Sequence, residues 1–126
     1  MLDQFTAMLA MQDRMNTKVH PEWNKQNFAW HRALWIECGE LIDHYGYKWW
    51  KKQTPEMEQV KLEIVDIWHF GMSMLFDGRS VEQIAASLVS DLNAGNVPKR
   101  GVLEATEELA TSVLATRKFS IVDFMS

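Results

Sequence analysis

The sequence lacks the features that define several large classes of protein. Its one cysteine, Cys38, excludes an internal disulfide, and it contains neither a run of about 18 apolar residues nor a signal-peptide pattern. The formal net charge of −4 gives no general basic surface for duplex nucleic acid, but it is compatible with binding a free nucleotide. We therefore expect a cytoplasmic protein that binds neither a nucleic-acid polymer nor a membrane.

Strand-like alternation and a glycine-rich phosphate loop are also missing, which argues against a β-rich fold and against a P-loop enzyme. With 126 residues, 47% of them hydrophobic and 24% charged, the chain is long enough for one domain with a core and too apolar for a disordered protein. We predict a single all-α domain over residues 1–126.

The spacing of apolar residues and the signals at helix ends predict a bundle of about five helices. The predicted helices cover approximately residues 2–15, 27–45, 54–76, 80–93 and 101–117. Thr54 is a good N-cap for the third helix, with Pro55 at its first position. Ser80 and Gln83 form the pattern of a capping box at the start of the fourth, and Gly46 is placed to end the second.

The end of the chain carries the signal of an incomplete helix. Ser120 and Asp123 resemble the start of a sixth helix, but only three residues follow Asp123. We expect either a domain that is truncated at its C-terminus or a short helix that a partner chain completes.

The second and third predicted helices both place two carboxylates three residues apart within a run of large apolar residues. Glu37 and Glu40 lie in WIECGELIDHY, and Glu63 and Asp66 lie in LEIVDIWHF. At 100° per residue, Glu37 shares a helix face with apolar residues and with His44, and Glu40 lies about 60° away. If the two helices pack antiparallel, the four carboxylates can converge on one point. Such a point suits Mg²⁺, which prefers oxygen ligands and keeps water molecules that a phosphate can displace.

Two alternatives need no metal. A carboxylate that is removed from water loses hydration, at a cost of several kcal/mol, roughly, unless a partner replaces the water. In the first alternative, that partner is a basic residue such as Arg32, Lys48 or Lys61. In the second, the carboxylates are structural and the tryptophans line the interface of a helical binding module. The occurrence of both acidic pairs on apolar faces favours the metal site.

The acidic motifs resemble those of a known family. ECGE and EIVD, written as ExxE and ExxD on consecutive helices, resemble the all-α nucleoside triphosphate pyrophosphohydrolases, which include MazG-type enzymes and dimeric dUTPases. KWWK, DIWHF and the early LAMQDRMN resemble the dimeric dUTPase branch, over about residues 9–76. The resemblance implies an all-α homodimer that hydrolyses dUTP, and also dUDP, to dUMP with Mg²⁺. A MazG-type house-cleaning enzyme with another nucleotide preference is the closest alternative.

The resemblance also implies roles for individual residues. Four carboxylates would hold two or three Mg²⁺ ions, or Mn²⁺ in their place: Glu37, Glu40, Glu63 and Asp66. Glu40 is the candidate general base. The substrate site would contain the amides Gln12 and Asn16 at the uracil edge, Lys48, Trp49 near the sugar, and His69 and Phe70 around the nucleoside.

The sequence departs from this branch after Phe76. Members of the branch carry a later segment of basic and amide residues that contacts the phosphates and the nucleoside, and no such segment follows here. Four basic residues are candidates to replace it: Lys99, Arg100, Arg117 and Lys118.

Overall fold

A computed structural model, which describes residues 1–126, shows an entirely helical fold. Its helices are α1 (Leu2–Val19), α2 (Trp30–Tyr45), α3 (Met57–Leu75), α4 (Val81–Ala94), α5 (Val102–Thr116) and α6 (Ile121–Met125). One 3₁₀ turn, Trp23–Lys25, lies between α1 and α2, and there is no strand. The prediction of an all-α fold is confirmed, with five long helices and a sixth of five residues.

Several helix ends follow from local sequence. The predicted capping box at the start of α4 is confirmed: the Gln83 N–H donates to Ser80 Oγ (3.1 Å), and the Ser80 N–H donates to Gln83 Oε1 (2.9 Å). Gly46 ends α2 in a conformation with a φ of +95°, which favours glycine. The Ser120 hydroxyl accepts from the Asp123 N–H (3.2 Å) at the start of α6, as its cap pattern predicts.

Three predicted boundaries were wrong. Helix α2 begins at Trp30 rather than at residue 27, because Asn27 has a positive φ (53°) that a helix does not allow. Thr54 does not cap α3, which begins at Met57 with Glu56 at its N-cap. The Glu56 N–H instead donates to the carbonyl oxygen of His44 (2.9 Å), so a tertiary contact with the end of α2 delays the start of α3. Helix α1 extends to Val19 rather than to residue 15, because Pro21 restricts directly only the residue before it and leaves the preceding turn free to continue.

Helices α2 and α3 pack antiparallel and form the centre of the molecule. Trp30 at the start of α2 lies against Phe70 near the end of α3, with ring centroids 6.1 Å apart, and the opposite ends meet at His44 and Glu56. α5 packs on α2, α1 packs on α4, and α6 contacts both α4 and α5. The fully buried side chains from these helices form one core: Leu9, Leu34, Cys38, Val60, Met72, Ile84, Val113 and Ile121.

Gly71 allows the segment between α5 and α6 to approach α3 closely. A Cβ atom at this position would overlap the ring of Phe119. The same aromatic cluster includes Trp68, whose ring stacks on Phe124 (5.2 Å between centroids) and whose indole N–H donates to the sulfur of Met8 (3.4 Å). The tryptophan of DIWHF therefore packs against the core rather than lining a polar site.

Many large apolar side chains remain at the surface. Trp35 and Ile36 on α2 and Leu62 and Val65 on α3 are each about half exposed. No helix combines the length and the apolarity that crossing a bilayer requires. Exposed side chains of this kind on neighbouring helices are typical of surfaces that another protein covers.

Candidate active site

Three carboxylates converge where α2 and α3 face each other. Glu37 of α2 and Glu63 and Asp66 of α3 each place one oxygen within 4.8 Å of the others. Glu63 is almost completely buried, with 6% of its surface exposed, whereas Glu37 is half-buried and Asp66 is exposed. The antiparallel packing of the two helices thus brings together carboxylates that are 26 and 29 positions apart in sequence.

No lysine or arginine neutralises this cluster. Lys61 pairs with the exposed Glu58 (3.3 Å), and neither Arg32 nor Lys48 forms an ion pair. Atom Oε2 of Glu37 and Oε2 of Glu63 are buried and have no hydrogen-bond partner. The alternative in which Arg32, Lys48 or Lys61 compensates the carboxylates is therefore wrong.

The surroundings of Glu37 favour its protonated form. Burial, a hydrogen bond with Glu63, and the charges of Glu63, Glu40 and Asp66 raise the pKa of Glu37 to about 8. A carboxyl group with this pKa retains a proton at neutral pH unless a cation takes the place of that proton. The site therefore needs a proton or a cation to balance its negative charge.

The donor atoms of the cluster fit a hard divalent cation. All of them are carboxylate oxygens, which Mg²⁺ prefers, and the two unpartnered Oε2 atoms would be satisfied by coordination. Cys38 offers no competing soft ligand, because burial and the neighbouring Glu37 raise the pKa of its thiol to about 12.

Glu40, the fourth predicted carboxylate, lies apart from the other three. It is exposed and does not belong to the group of oxygens within 4.8 Å of one another. Its charge still contributes to the raised pKa of Glu37. The structure brings together three of the four predicted metal ligands, and Glu40 stands beside them at the solvent-facing side.

His44 also contacts the cluster, although the motifs did not single it out. Its Nε2 atom lies 3.7 Å from Glu63 Oε1, and its Nδ1 atom lies 3.7 Å from Glu56 Oε2. The spacing of seven residues from Glu37 places it on the same helix face, and this was the one available signal. Its contact with Glu63 depends on how α2 packs against α3, which the motifs do not specify.

A chain of polar side chains connects α1 with α3. Gln12 Nε2 donates to Asn16 Oδ1 (2.9 Å), Asn16 Nδ2 donates to Ser73 Oγ (2.9 Å), and Ser73 Oγ donates to the carbonyl oxygen of His69 (3.0 Å). Gln12 is 5% exposed, and its Oε1 atom is buried without a partner. The predicted amide pair is therefore brought together, and Ser73 is a member that sequence reasoning missed.

A cavity of about 370 Å³ lies at the end of α3 next to this chain. Its lining combines aromatic rings with polar groups, among them Trp23, Asn27, Trp30, Ser73, Phe76 and Arg117. Burial and the charge of Arg117, followed by that of Arg32, lower the pKa of His31 at its edge. Of the four basic residues that follow Phe76 in the predictions, only Arg117 lines this cavity.

The other predicted substrate residues occupy different environments. His69 and Phe70 are half-buried, and the ring of Phe70 tilts against Trp30 of the cavity wall. Lys48 is half-buried, and its main-chain N–H donates to Gln53 Oε1 (2.6 Å). Trp49 is 87% exposed and touches Trp50 edge to face. Neither Lys48 nor Trp49 lines the cavity.

The chain also matches a sequence model of a protein family, which is described as dUTPase, over residues 4–122. The matched range contains every carboxylate, amide and aromatic side chain of the site. It also extends well beyond Phe76, where the resemblance based on motifs ends. No curated protein matches the sequence significantly.

Proposed function

Because the chain belongs to the dUTPase family and is therefore a dUTP diphosphatase, we propose that it hydrolyses dUTP to dUMP and pyrophosphate with Mg²⁺. The observation that carries the metal requirement is the set of three converging carboxylates that no lysine or arginine neutralises. Glu37, Glu63 and Asp66 would hold the metal, in a centre of two or three ions that Glu40 completes. Acceptance of dUDP, with release of phosphate, is part of the same proposal.

The carboxylates have different proposed roles in the reaction. When bound, Mg²⁺ neutralises phosphate charge and lowers the pKa of water, so that hydroxide is available for in-line attack. Glu40 is exposed beside the cluster, where it can accept the proton from the attacking water, and we propose it as the general base. Buried Glu63 supplies a negative charge that water cannot screen, which increases the attraction of the site for cations.

The polar chain provides a basis for base selection. The unpartnered Oε1 of Gln12 is a buried acceptor that an N–H of a bound base would satisfy. Uracil offers an N–H at its pairing edge, whereas cytosine offers an acceptor there. A cytosine base would therefore leave two acceptors opposed, and this kind of mismatch produces strong discrimination.

The distance between the two regions matches the shape of a nucleotide. Trp30 at the cavity and Glu37 at the carboxylates are seven residues apart on α2, which is about 10 Å at 1.5 Å per residue. We propose that the nucleoside occupies the cavity, between its aromatic walls and Ser73, through which the cavity adjoins the Gln12–Asn16 pair, with its phosphates directed to the carboxylates. His69, Phe70, Lys48 and Trp49 stay candidates for contacts with the nucleotide.

We also propose a homodimer. Trp35 and Ile36 on α2 and Leu62 and Val65 on α3 leave apolar surface uncovered on the two helices that carry the carboxylates. Most soluble oligomers are symmetric dimers that bury such surfaces. Sedimentation should give twice the mass of the chain, and replacement of Leu62 by aspartate should reduce that mass. A monomeric wild-type protein at all concentrations would contradict the dimer.

Activity assays test the proposal directly. Pyrophosphate release from dUTP, dCTP, dTTP and UTP is measured with Mg²⁺ or with EDTA, beside Glu63→Gln and Glu40→Gln and the control Glu58→Gln. Mg²⁺-dependent turnover that prefers dUTP and is lost in the first two variants is expected. Preference for another nucleotide would favour a MazG-type specificity. Absence of turnover, together with no effect of Mg²⁺ on the melting temperature, would favour a binding module.

A further inference from the structure

His44 connects the end of α2 with the start of α3 in two ways. Its carbonyl oxygen accepts from the Glu56 N–H (2.9 Å), and its imidazole lies between the carboxylates of Glu56 and Glu63, 3.7 Å from each. Glu56 and Glu63 are seven residues apart, so they share one face of α3. The half-buried ring therefore fills the space between two carboxylates of the same face.

The two oxygens of Glu63 have different surroundings. Oε1 faces His44 Nε2, whereas Oε2 is buried and has no partner. No lysine, arginine or other histidine lies within 4.0 Å of this carboxylate. A single imidazole thus distinguishes one oxygen of the most deeply buried carboxylate in the site from the other.

We propose that His44 is a positioning residue, which holds Glu63 through Oε1 and so directs Oε2 toward the cation. Glu56 restrains the ring from the other side. The role follows from geometry: one ring nitrogen lies 3.7 Å from Glu63 and the other 3.7 Å from Glu56. The inference rests on the proposed metal centre, and it assigns His44 and Glu56 a part in setting the affinity of that centre.

The expected size of the effect follows from outer-shell groups in metal sites generally. Replacement of an outer-shell partner of a metal ligand weakens metal binding by roughly 10- to 100-fold. His44→Ala should weaken Mn²⁺ binding to the nucleotide-free protein by about this factor. His44→Gln, whose amide nitrogen can occupy the place of Nε2, should bind Mn²⁺ within about threefold of the wild type. Glu56→Gln should cause a smaller loss than His44→Ala.

The metal-free full chain is titrated with Mn²⁺, and binding is monitored by electron paramagnetic resonance. The melting temperature of each variant is measured separately without metal. Glu58→Gln is the matched control for Glu56→Gln, because Glu58 lies two residues away, is exposed and pairs only with Lys61. It should bind Mn²⁺ like the wild type. If His44→Ala does not fold, His44→Met replaces it, since methionine fills similar space without a donor.

The outcomes separate this inference from the metal centre itself. Glu63→Gln should bind Mn²⁺ much more weakly than the wild type, and equal affinities would overturn the metal centre together with the inference. If Glu63→Gln loses affinity while His44→Ala keeps it, only the role of His44 is overturned. A lower melting temperature of His44→Ala with unchanged Mn²⁺ affinity, or equal losses in His44→Gln and His44→Ala, also contradicts positioning.

Discussion

The carboxyl groups of Glu37 and Glu63 face each other across the contact between α2 and α3, with no lysine or arginine to separate them. Each has an oxygen, Oε2, that is buried without a hydrogen-bond partner. Two carboxylates in this arrangement repel each other unless a proton or a cation lies between them. The stability of the metal-free protein should therefore respond to pH and to metal in a linked manner.

The first prediction concerns pH. Glu37 has an ordinary pKa of 4.5 and a folded-state pKa of about 8, so between these values the folded state binds the extra proton. Its stabilising effect is complete below pH 4.5 and is lost as pH rises through 8. In EDTA, the melting temperature should fall from pH 5 to pH 8 more steeply for the wild type than for Glu37→Gln. Parallel curves for the two proteins would contradict this assignment.

The second prediction is that Glu63→Gln stabilises the metal-free protein while it impairs catalysis. An amide at this position removes a buried negative charge whose Oε2 atom lacks a partner, and it can donate toward Glu37. We expect a gain of about 1 kcal/mol, equivalent to several degrees in melting temperature. Denaturation in EDTA measures the gain, and Glu58→Gln should show none. A destabilised Glu63→Gln would mean that the negative charge is compensated in the folded protein.

The third prediction concerns Asn16. Asn16→Ala removes two hydrogen bonds of 2.9 Å and leaves Gln12 and Ser73 without their partner. We expect a loss of stability of about 1 to 3 kcal/mol and at least about a tenfold decrease in the preference for dUTP over dCTP. The ratio of kcat/KM for the two nucleotides measures the preference.

The control for this variant is Thr17→Ala, because the Thr17 hydroxyl is exposed and bonds only to Asp13. This neighbouring substitution should leave the preference for dUTP unchanged. If Asn16→Ala retains the wild-type preference, the polar chain does not select the base.

The fourth prediction tests the approach to α3. Gly71→Ala places a methyl group against the ring of Phe119, so the ring must shift within the aromatic cluster. We expect destabilisation of about 1 to 3 kcal/mol in urea unfolding, as for other overpacked cores. Gly71→Ala should destabilise the Phe119→Leu variant less than it destabilises the wild type. Strict additivity of the two substitutions would show that the predicted clash does not occur.

Local signals explain why most of the fold could be predicted. The Ser80–Gln83 capping box and Gly46 depend on interactions within one turn, so the sequence specifies them directly. The start of α3 could not be predicted from Thr54, because the Glu56 N–H is held by a carbonyl from another helix. Helix boundaries that depend on tertiary hydrogen bonds cannot be predicted from the helix propensities of the residues.

The site shows the same division. The spacing of Glu37, Glu63 and Asp66 within apolar runs predicted their convergence, because helical periodicity and antiparallel packing are sufficient to produce it. Ser73 could not be found in this way, since it lies in an apolar stretch, and Arg117 could be named only as one of four basic candidates. The position of Ser73 against Asn16 depends on how α3 crosses α1, which no local pattern encodes.

Ser73 has a further consequence for the polar chain. Its hydroxyl proton is committed to the carbonyl of His69, one turn earlier in α3, so its oxygen can only receive the amide of Asn16. Asn16 must then turn its own oxygen to Gln12, and Gln12 is left with an oxygen to offer. The donor-to-acceptor direction of the whole polar chain thus follows from the direction in which the main chain of α3 runs. The carbonyl oxygen of His69 at one end of the polar chain therefore determines that Gln12 at the other end presents a hydrogen-bond acceptor rather than a donor.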